Sequence, residues 1–144
     1  MKLQAIGEIH TPYETVEDCP FFSSFTKDEA KLEVYKEFEE GLKALDQVTH
    51  IIVIYWLHKA NRDELLISNP HDDEIRGVFA MRGQHRPNTL GVSIVKILDI
   101  KENTISVDGL DCLNGTTLID IKPYDSTAEA IYEAQIKYWD NKDA

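Results

Sequence analysis

The stretch that decides the fold is residues 49–58, which read THIIVIYWLH. It is rich in β-branched and aromatic residues and is apolar on both faces, which predicts a strand in the middle of a sheet. His50 and His58 share one face, but eight residues of strand separate them by about 26 Å, so they cannot bind one metal ion together. A second β-branched run, residues 92–98 (VSIVKIL), predicts another buried strand.

The remaining hydrophobic patterns predict more strands and little helix. Further strands are expected at residues 3–9, 30–36, 77–81, 104–110 and 118–121. A short helix is expected at residues 38–45. A capping box at residues 126–129 predicts a terminal helix, whose apolar face runs through Ala130, Ile131, Ala134, Ile136 and Tyr138, with Trp139 at its end. The pattern lacks βαβ alternation, so it predicts a mainly β fold: a single small β-barrel over residues 1–144 with a short internal helix and a C-terminal helix.

The composition limits the location and the class of the protein. The N-terminal residues are too few and too polar for a signal peptide. The longest apolar run, residues 51–57, is far shorter than the ~20 residues that span a bilayer. Cys19 and Cys112 are too few for a disulfide framework or a zinc site, so we expect free thiols in a reducing compartment and a cytoplasmic protein.

The charge of the chain is unevenly distributed. The formal net charge of -11 argues against broad, non-specific nucleic-acid binding. Residues 14–46 carry ten acids and four lysines, whereas residues 75–98 carry four Lys/Arg and no acid. A local basic segment could therefore still face an anion.

That basic segment contains a compact polar loop, residues 82–88, which reads RGQHRPN. Two guanidiniums, an imidazole and an amide directly before a buried strand suit a ligand with carboxylate or other anionic groups. The alternative is an ordinary polar loop whose arginines pair with surrounding acids.

Three other groups of residues admit a functional and a structural reading. Residues 71–74 (HDDE) could suggest a metal, but solvated side chains are the expectation and no metal site is predicted. Phe21, Phe22 and Phe25 are expected to form a small hydrophobic cluster that holds a loop, rather than a ligand platform. Asp120 lies in an apolar strand and is costly to bury unless Lys122 or an arginine of the 82–88 loop pairs with it.

Three segments together resemble the TsaA/TrmO family. They are residues 6–13 (IGEIHTPY), residues 77–88 (GVFAMR followed by RPN) and residues 109–124 (GLD followed by DIKPY), with further matches at Gly41, Leu42, Leu45 and residues 49–51. The resemblance covers nearly the whole chain.

The resemblance implies an S-adenosylmethionine-dependent methyltransferase that has one β-barrel. It also implies a homodimer in which the cofactor lies near the dimer interface. The family's known member methylates the exocyclic nitrogen of threonylcarbamoyladenosine beside the anticodon of tRNA. By resemblance, the residues expected to bind or frame the cofactor are Arg82, His85, Arg86, Asn88, Asp111, Leu113, Gly115, Thr116 and Lys122. Asp120 and Tyr124 are the expected catalytic residues, which would take the proton of the acceptor nitrogen. The alternative for Asp120 and Lys122 is an ion pair that braces the barrel.

The chain departs from the family pattern at three places. Gly83-Gln84 replaces Ser-Pro, Thr89-Leu90 replaces Pro-Ile, and Asn114-Gly115-Thr116-Thr117 replaces Asp-Gly-Thr-Pro. The C-terminal extension of the bacterial enzyme is also not expected. Cofactor binding remains the expectation, but two alternatives stay open: a small-molecule or protein acceptor, and a non-catalytic module that binds S-adenosylmethionine.

Overall fold

Six antiparallel strands close into a barrel in the structure, a computed structural model that describes residues 1–140 except the side chains of Ser23 and Asp140. The strands, including a separate two-stranded hairpin, are β1 (Gly7–His10), β2 (Glu29–Val34), β3 (His50–Trp56), β4 (Leu66–Ser68), β5 (Ile75–Gly77), β6 (Leu90–Lys101), β7 (Thr104–Asp108) and β8 (Thr116–Pro123). The order around the barrel is β1-β2-β7-β6-β3-β8, and β8 pairs back with β1. The predicted mainly β fold with a small barrel is confirmed.

Strand β3 lies between β6 and β8, as its apolar sequence predicted. Ile51, Val53 and Tyr55 point into the barrel and are buried. The alternate residues lie on the outer face, where His50 is exposed and the other three are half-buried. The fully buried core also contains Ile9, Leu32, Ile105, Val107 and Leu118. Burial of each such side chain contributes roughly 1.5–3 kcal/mol relative to leaving it in water.

Two of the expected strands are wrong in part. The strand expected at residues 3–9 begins only at Gly7, where pairing with β2 and β8 starts. The strand expected at residues 77–81 ends at Gly77, and Val78–Ala80 form a 3-10 helix. The ladder between β4 and β5 stops at Gly77, and Phe79 is exposed, so no partner strand extends the pairing.

The short internal helix is present as 3-10 turns. The 3-10 helices are Val16–Asp18, Ser23–Phe25, Lys36–Leu42, Leu45–Gln47 and Val78–Ala80. The helix expected at residues 38–45 is interrupted because Ala44 adopts a left-handed conformation with φ of 70°. Its apolar spacing was nevertheless informative, since Phe38, Leu42 and Leu45 pack against the core.

The terminal helix is two separate turns, α1 (Ser126–Glu129) and α2 (Lys137–Asp140). The cap is Asp125 and not Ser126, because the Asp125 carboxylate accepts the Thr127 amide at 3.0 Å. Ile131, on the expected apolar face, is exposed, and so is its neighbour Tyr132. A helix of this length is marginal without packing, which explains the interruption. The last four positions of the predicted 1–144 domain lie outside the described residues.

The β4–β5 hairpin is a difference from the strands expected from the sequence, which include none between residues 58 and 77. Its two strands pair over three residues each. No helix among residues 1–140 is long and apolar enough to cross a membrane.

The hydroxyl of Thr89 has no hydrogen-bond partner among the described residues, although the residue is fully buried. An unsatisfied buried hydroxyl costs about 1–3 kcal/mol. We therefore expect Thr89→Val to raise the free energy of unfolding by about 1 kcal/mol in urea denaturation. Thr89→Ser keeps the hydroxyl and loses the methyl group, so it should lower that free energy. A Thr89→Val protein no more stable than the wild type would contradict this account.

Candidate functional site

A cavity of about 740 Å³ opens at the end of the barrel where β3 ends and β6 begins. Its walls come from residues 16–22, from Tyr55 and Leu57, from the 82–88 loop with the start of β6, and from Asp111. This volume lies within the range of sites that bind small molecules. The loop of residues 16–22 was not predicted to belong to a site.

The inner wall of the cavity contains the buried Tyr55 and the half-buried Asp111, with the buried Ser93 behind them. The Tyr55 hydroxyl donates to Asp111 Oδ1 and lies 2.8 Å from Ser93 Oγ, which itself donates to Asp111 Oδ1 at 3.2 Å. A Cβ on Gly91 would lie 2.2 Å from the Tyr55 ring, so the glycine makes room for the tyrosine. Burial and the Asp111 charge raise the pKa of Tyr55, so its hydroxyl stays protonated and remains a donor. None of the described residues donates to Asp111 Oδ2.

Arg82 and Asn88 line the same cavity. The Arg82 guanidinium lies 5.7 Å from the centre of the Phe22 ring and makes no ion pair with any described acid. The Asn88 side chain has no hydrogen bond to the described residues. The alternative in which the arginines of the 82–88 loop pair with acids is therefore not what the structure shows.

Arg86 and His85 hold the loop in shape. Arg86 lines the cavity, but its Nη1 donates to the carbonyls of Met81 and Gly83 at 3.1 and 3.0 Å. His85 does not line the larger cavity, and its Nδ1 accepts a hydrogen bond from the backbone N–H of Asn61 at 2.9 Å. Since a backbone N–H can only donate, Nδ1 is the unprotonated nitrogen of this ring.

A short segment, residues 61–62, called the strap below, holds the 82–88 loop by hydrogen bonds and was not predicted from the sequence. The Asn61 carbonyl accepts the Arg86 amide at 3.1 Å, and Arg62 Nε donates to the Pro87 carbonyl at 2.7 Å. The Arg62 guanidinium also lies 5.0 Å from the Trp56 ring centre. These contacts link residues about 25 positions apart, which no local pattern reveals.

A second chamber of about 60 Å³ adjoins the first and shares Asp111 with it. Leu113 and Thr116 line this chamber, together with His58 and Lys59. Gly115 does not line it but makes the turn, with φ of 85°. This turn matches the signal of Asn-Gly in the sequence.

Asp120, Lys122 and Tyr124 line neither cavity. Strand β8 has a bulge at Ile119, since Tyr55 pairs with Leu118 but the preceding Ile54 pairs with Asp120. Asp120 therefore shares the outward face of Ile54. Asp120 is consequently half-exposed on the outer face and pairs with Lys122 at 3.1 Å, the ion pair considered as the alternative. The backbone amide of Tyr124 donates to the His50 carbonyl at 3.0 Å. His50 lies five residues from Tyr55 on β3, which is about 17 Å, so Tyr124 is far from the cavity.

The three phenylalanines form the expected cluster. Phe21 and Phe22 pack edge to face at 4.7 Å, and Phe22 and Phe25 do so at 5.4 Å. Two of them, Phe21 and Phe22, also line the larger cavity.

Among residues 1–140, no three His, Cys, Asp or Glu side chains are placed to bind a metal ion. In the 71–74 segment, Asp72 instead forms a two-point pair with Arg76, at 3.0 and 2.8 Å. Cys19 and Cys112 are free thiols.

Comparison with known proteins finds relatives that belong to one family. The family model described as "tRNA-methyltransferase O N-terminal domain" matches residues 8–130. A "Probable S-adenosyl-L-methionine-binding protein" of Archaeoglobus fulgidus is 42% identical over 140 residues, which are 97% of this chain and 38% of that protein. An "S-adenosyl-L-methionine-binding protein" of the same organism is 36% identical over 135 residues, covering 94% of this chain and 97% of that protein.

The solved structures agree. The crystal structure of TrmO from Pseudomonas aeruginosa superimposes with a TM-score of 0.78 at 28% identity, covering 96% of this chain and 62% of that chain. This chain thus spans less than two thirds of the TrmO chain and of the first Archaeoglobus relative. With a match to the family model over most of its length and a barrel that superimposes on TrmO, the chain belongs to the TrmO family, where it corresponds to the N-terminal domain.

Proposed function

We propose that the larger cavity binds S-adenosylmethionine and that the protein is a methyltransferase, with threonylcarbamoyladenosine beside the anticodon of tRNA as the acceptor. The observation that carries the proposal is that three polar groups face one cavity and have no hydrogen bond or ion pair with the described residues: the Arg82 guanidinium, the Asn88 amide and Asp111 Oδ2. The printed names of the relatives support the choice of cofactor.

The chemistry of the lining residues fits this cofactor. S-adenosylmethionine supplies an electrophilic methyl group on a sulfonium and also carries a carboxylate, an ammonium, a ribose and an adenine. Arg82 suits the carboxylate. The rings of Phe21 and Phe22 suit the face of the adenine, and Asp111 Oδ2 is left for the acceptor nitrogen.

Positioning supplies much of the rate in methyl transfer, because the acceptor atom must meet the methyl carbon in line. The nitrogen of the acceptor also loses a proton. Tyr55 stays protonated and serves as a donor, so it is not the base. We assign the role of proton acceptor to Asp111, the carboxylate that lines both chambers. Asp120, on the outer face of β8, and Tyr124, directly after that strand, are not assigned this role. The Tyr55 hydroxyl donates a hydrogen bond to Asp111 Oδ1. This bond orients the carboxylate and leaves Asp111 Oδ2 as the oxygen that accepts the proton.

Cations near the cavity support the tRNA acceptor. Arg82 and Arg86 line the larger chamber, Lys59 lines the smaller one, and Arg62 lies on the strap beside them. A second candidate is a small-molecule or protein acceptor, which the net charge of -11 favours. Binding to tRNA through phosphates weakens steeply with salt, so the salt dependence of binding distinguishes the two.

The outer face of β3 and β6 fits the expected homodimer. The pairs Ile52–Ile94, Ile54–Val92 and Trp56–Leu90 form three apolar rows across the two strands. Leu90, Val92 and Ile94 are 36%, 46% and 49% exposed. Leu90 and Val92 also line the cavity, so a second copy seated here would lie beside the cofactor.

The first prediction concerns transfer of a labelled methyl group from S-adenosylmethionine to total tRNA. Asp111→Asn is expected to lower the rate by about 10²-fold or more, the usual contribution of a general base. The matched control Asp99→Asn, at an exposed carboxylate, should keep the wild-type rate. Asp120→Asn is the decisive comparison, because loss of activity there with activity retained in Asp111→Asn would overturn our assignment. Cofactor binding without any labelled tRNA would reject the tRNA acceptor.

The second prediction concerns the two thiols. Burial raises the pKa of Cys112 to about 12, and burial with the Asp111 charge raises the pKa of Cys19. Only the thiolate reacts with iodoacetamide, so at pH 8 both thiols should react more slowly than free cysteine, and the rates should rise as the pH rises toward these raised pKa values. Cys19 lines the cavity, so saturating S-adenosylmethionine should slow its labelling. Cys19→Ser leaves only Cys112 as a control. If the protein binds the cofactor but the labelling rate of Cys19 stays the same, the cofactor binds outside the larger cavity.

The third prediction concerns the dimer. Ile94→Glu introduces a charge into the apolar rows and should convert a dimer to a monomer in sedimentation equilibrium. Ile131→Glu, at an isoleucine that is 65% exposed on the C-terminal segment, should leave the dimer intact. A wild-type monomer, or an Ile94→Glu dimer as stable as the wild type, would exclude this interface.

A further inference from the structure

The turn α2 connects three parts of the molecule that are distant in sequence. The Tyr138 hydroxyl donates to the Ala80 carbonyl at 2.6 Å, and the Arg76 guanidinium lies 4.0 Å from the Tyr138 ring centre. The Trp139 ring meets Phe22 nearly edge-on, with centres 5.7 Å apart. The C-terminal segment therefore contacts both the β4–β5 region and the wall of the larger cavity.

The Arg76 side chain, which contacts the Tyr138 ring, is held in place by Asp72. Arg76 is fixed by its two hydrogen bonds to Asp72, and both side chains are only about one fifth exposed, at 20% and 22%. An arginine held in a planar two-point pair presents its face for stacking, and Tyr138 occupies that face. Tyr138 in turn orients Trp139, whose ring centre lies 6.2 Å from its own.

The wall that Trp139 contacts makes no hydrogen bond to the barrel through its described atoms. Every hydrogen bond made by the described atoms of residues 16–25 stays within residues 15–25. Its ring contacts with other parts of the chain are Phe21 with His71 at 6.5 Å and Phe22 with Trp139 and Arg82, and the 3-10 helix Ser23–Phe25 also lies close to β6. The ring contacts of Phe22 therefore contribute to holding this loop at the cavity.

We propose that Tyr138 and Trp139 are positioning residues that hold Phe22, and through it Arg82, in the geometry that binds the cofactor. The inference rests on the proposed function, since it concerns the same cavity. Trp139 acts through Phe22, because it does not itself line the cavity. Loss of the Trp139 ring would leave the barrel folded, because none of the described side chains of α2 belongs to the core.

The test is the dissociation constant of S-adenosylmethionine, measured by calorimetry for the wild type and three variants. Trp139→Ala should weaken binding roughly threefold to tenfold, the effect of losing one aromatic pair. Trp139→Phe keeps a ring and should restore most of the affinity. Tyr132→Ala, at a tyrosine that is 93% exposed, should bind like the wild type. The thermal midpoint of all three variants should stay close to that of the wild type.

A spectroscopic readout separates positioning from general stability. The chain has two tryptophans, so Trp56→Phe leaves Trp139 as the sole reporter. The fluorescence of Trp139 should change on titration with S-adenosylmethionine, and the dissociation constant should equal that from calorimetry on the same Trp56→Phe protein. If the wild type binds no S-adenosylmethionine, the proposed function fails. If the wild type binds and Trp139→Ala binds equally well, or Trp139→Phe fails to restore affinity, the positioning role is overturned while the proposed function stands.

Discussion

The period-two alternation of β3 is the constraint on which the structure depends. Because β3 pairs on both edges, every second side chain must fill the barrel and the others must cover its outside. Tyr55 is the last inward residue of β3, and it carries a polar group to the end of the barrel. Its hydroxyl binds Asp111, which ties the barrel interior to the 109–116 loop and gives the cavity a fixed inner wall. On the other face, the same alternation produces apolar rows beside the cavity mouth.

Much of the fold could be predicted from local pattern. The central strand, the long β6 and its partner β7 follow from β-branched runs and alternation, and a small barrel follows from their number. The boundaries that failed depend on information outside the segment. Residues 78–80 leave the strand because no partner extends the ladder beyond Gly77. Residues 126–140 do not form one helix because no barrel surface covers Ile131 and Tyr132.

The candidate site could be predicted only in part. The 82–88 loop and the Asn114-Gly115 turn stood out in the sequence, and the structure places both at the same end of the barrel. Asp120 shows why the rest could not be predicted. Simple alternation gives it the inward parity of Leu118, but the bulge in β8 turns it outward. The position of a bulge depends on the partner strand, so the sequence of β8 alone does not reveal it. Asn61 and Arg62, which fasten the loop, likewise act over a long separation in sequence.

The central claim is that the ligand lies between the 16–22 loop, the 82–92 segment and Asp111. The most direct measurement is a titration of ¹⁵N-labelled protein with S-adenosylhomocysteine, the product that remains after methyl transfer, followed through backbone amide chemical shifts. The account predicts that the large shifts fall within residues 16–22, 55–58, 82–92 and 111–116, with little change at residues 120–124. Large shifts confined to residues 120–124 and the His50 end of β3, or none at a saturating concentration, would contradict it.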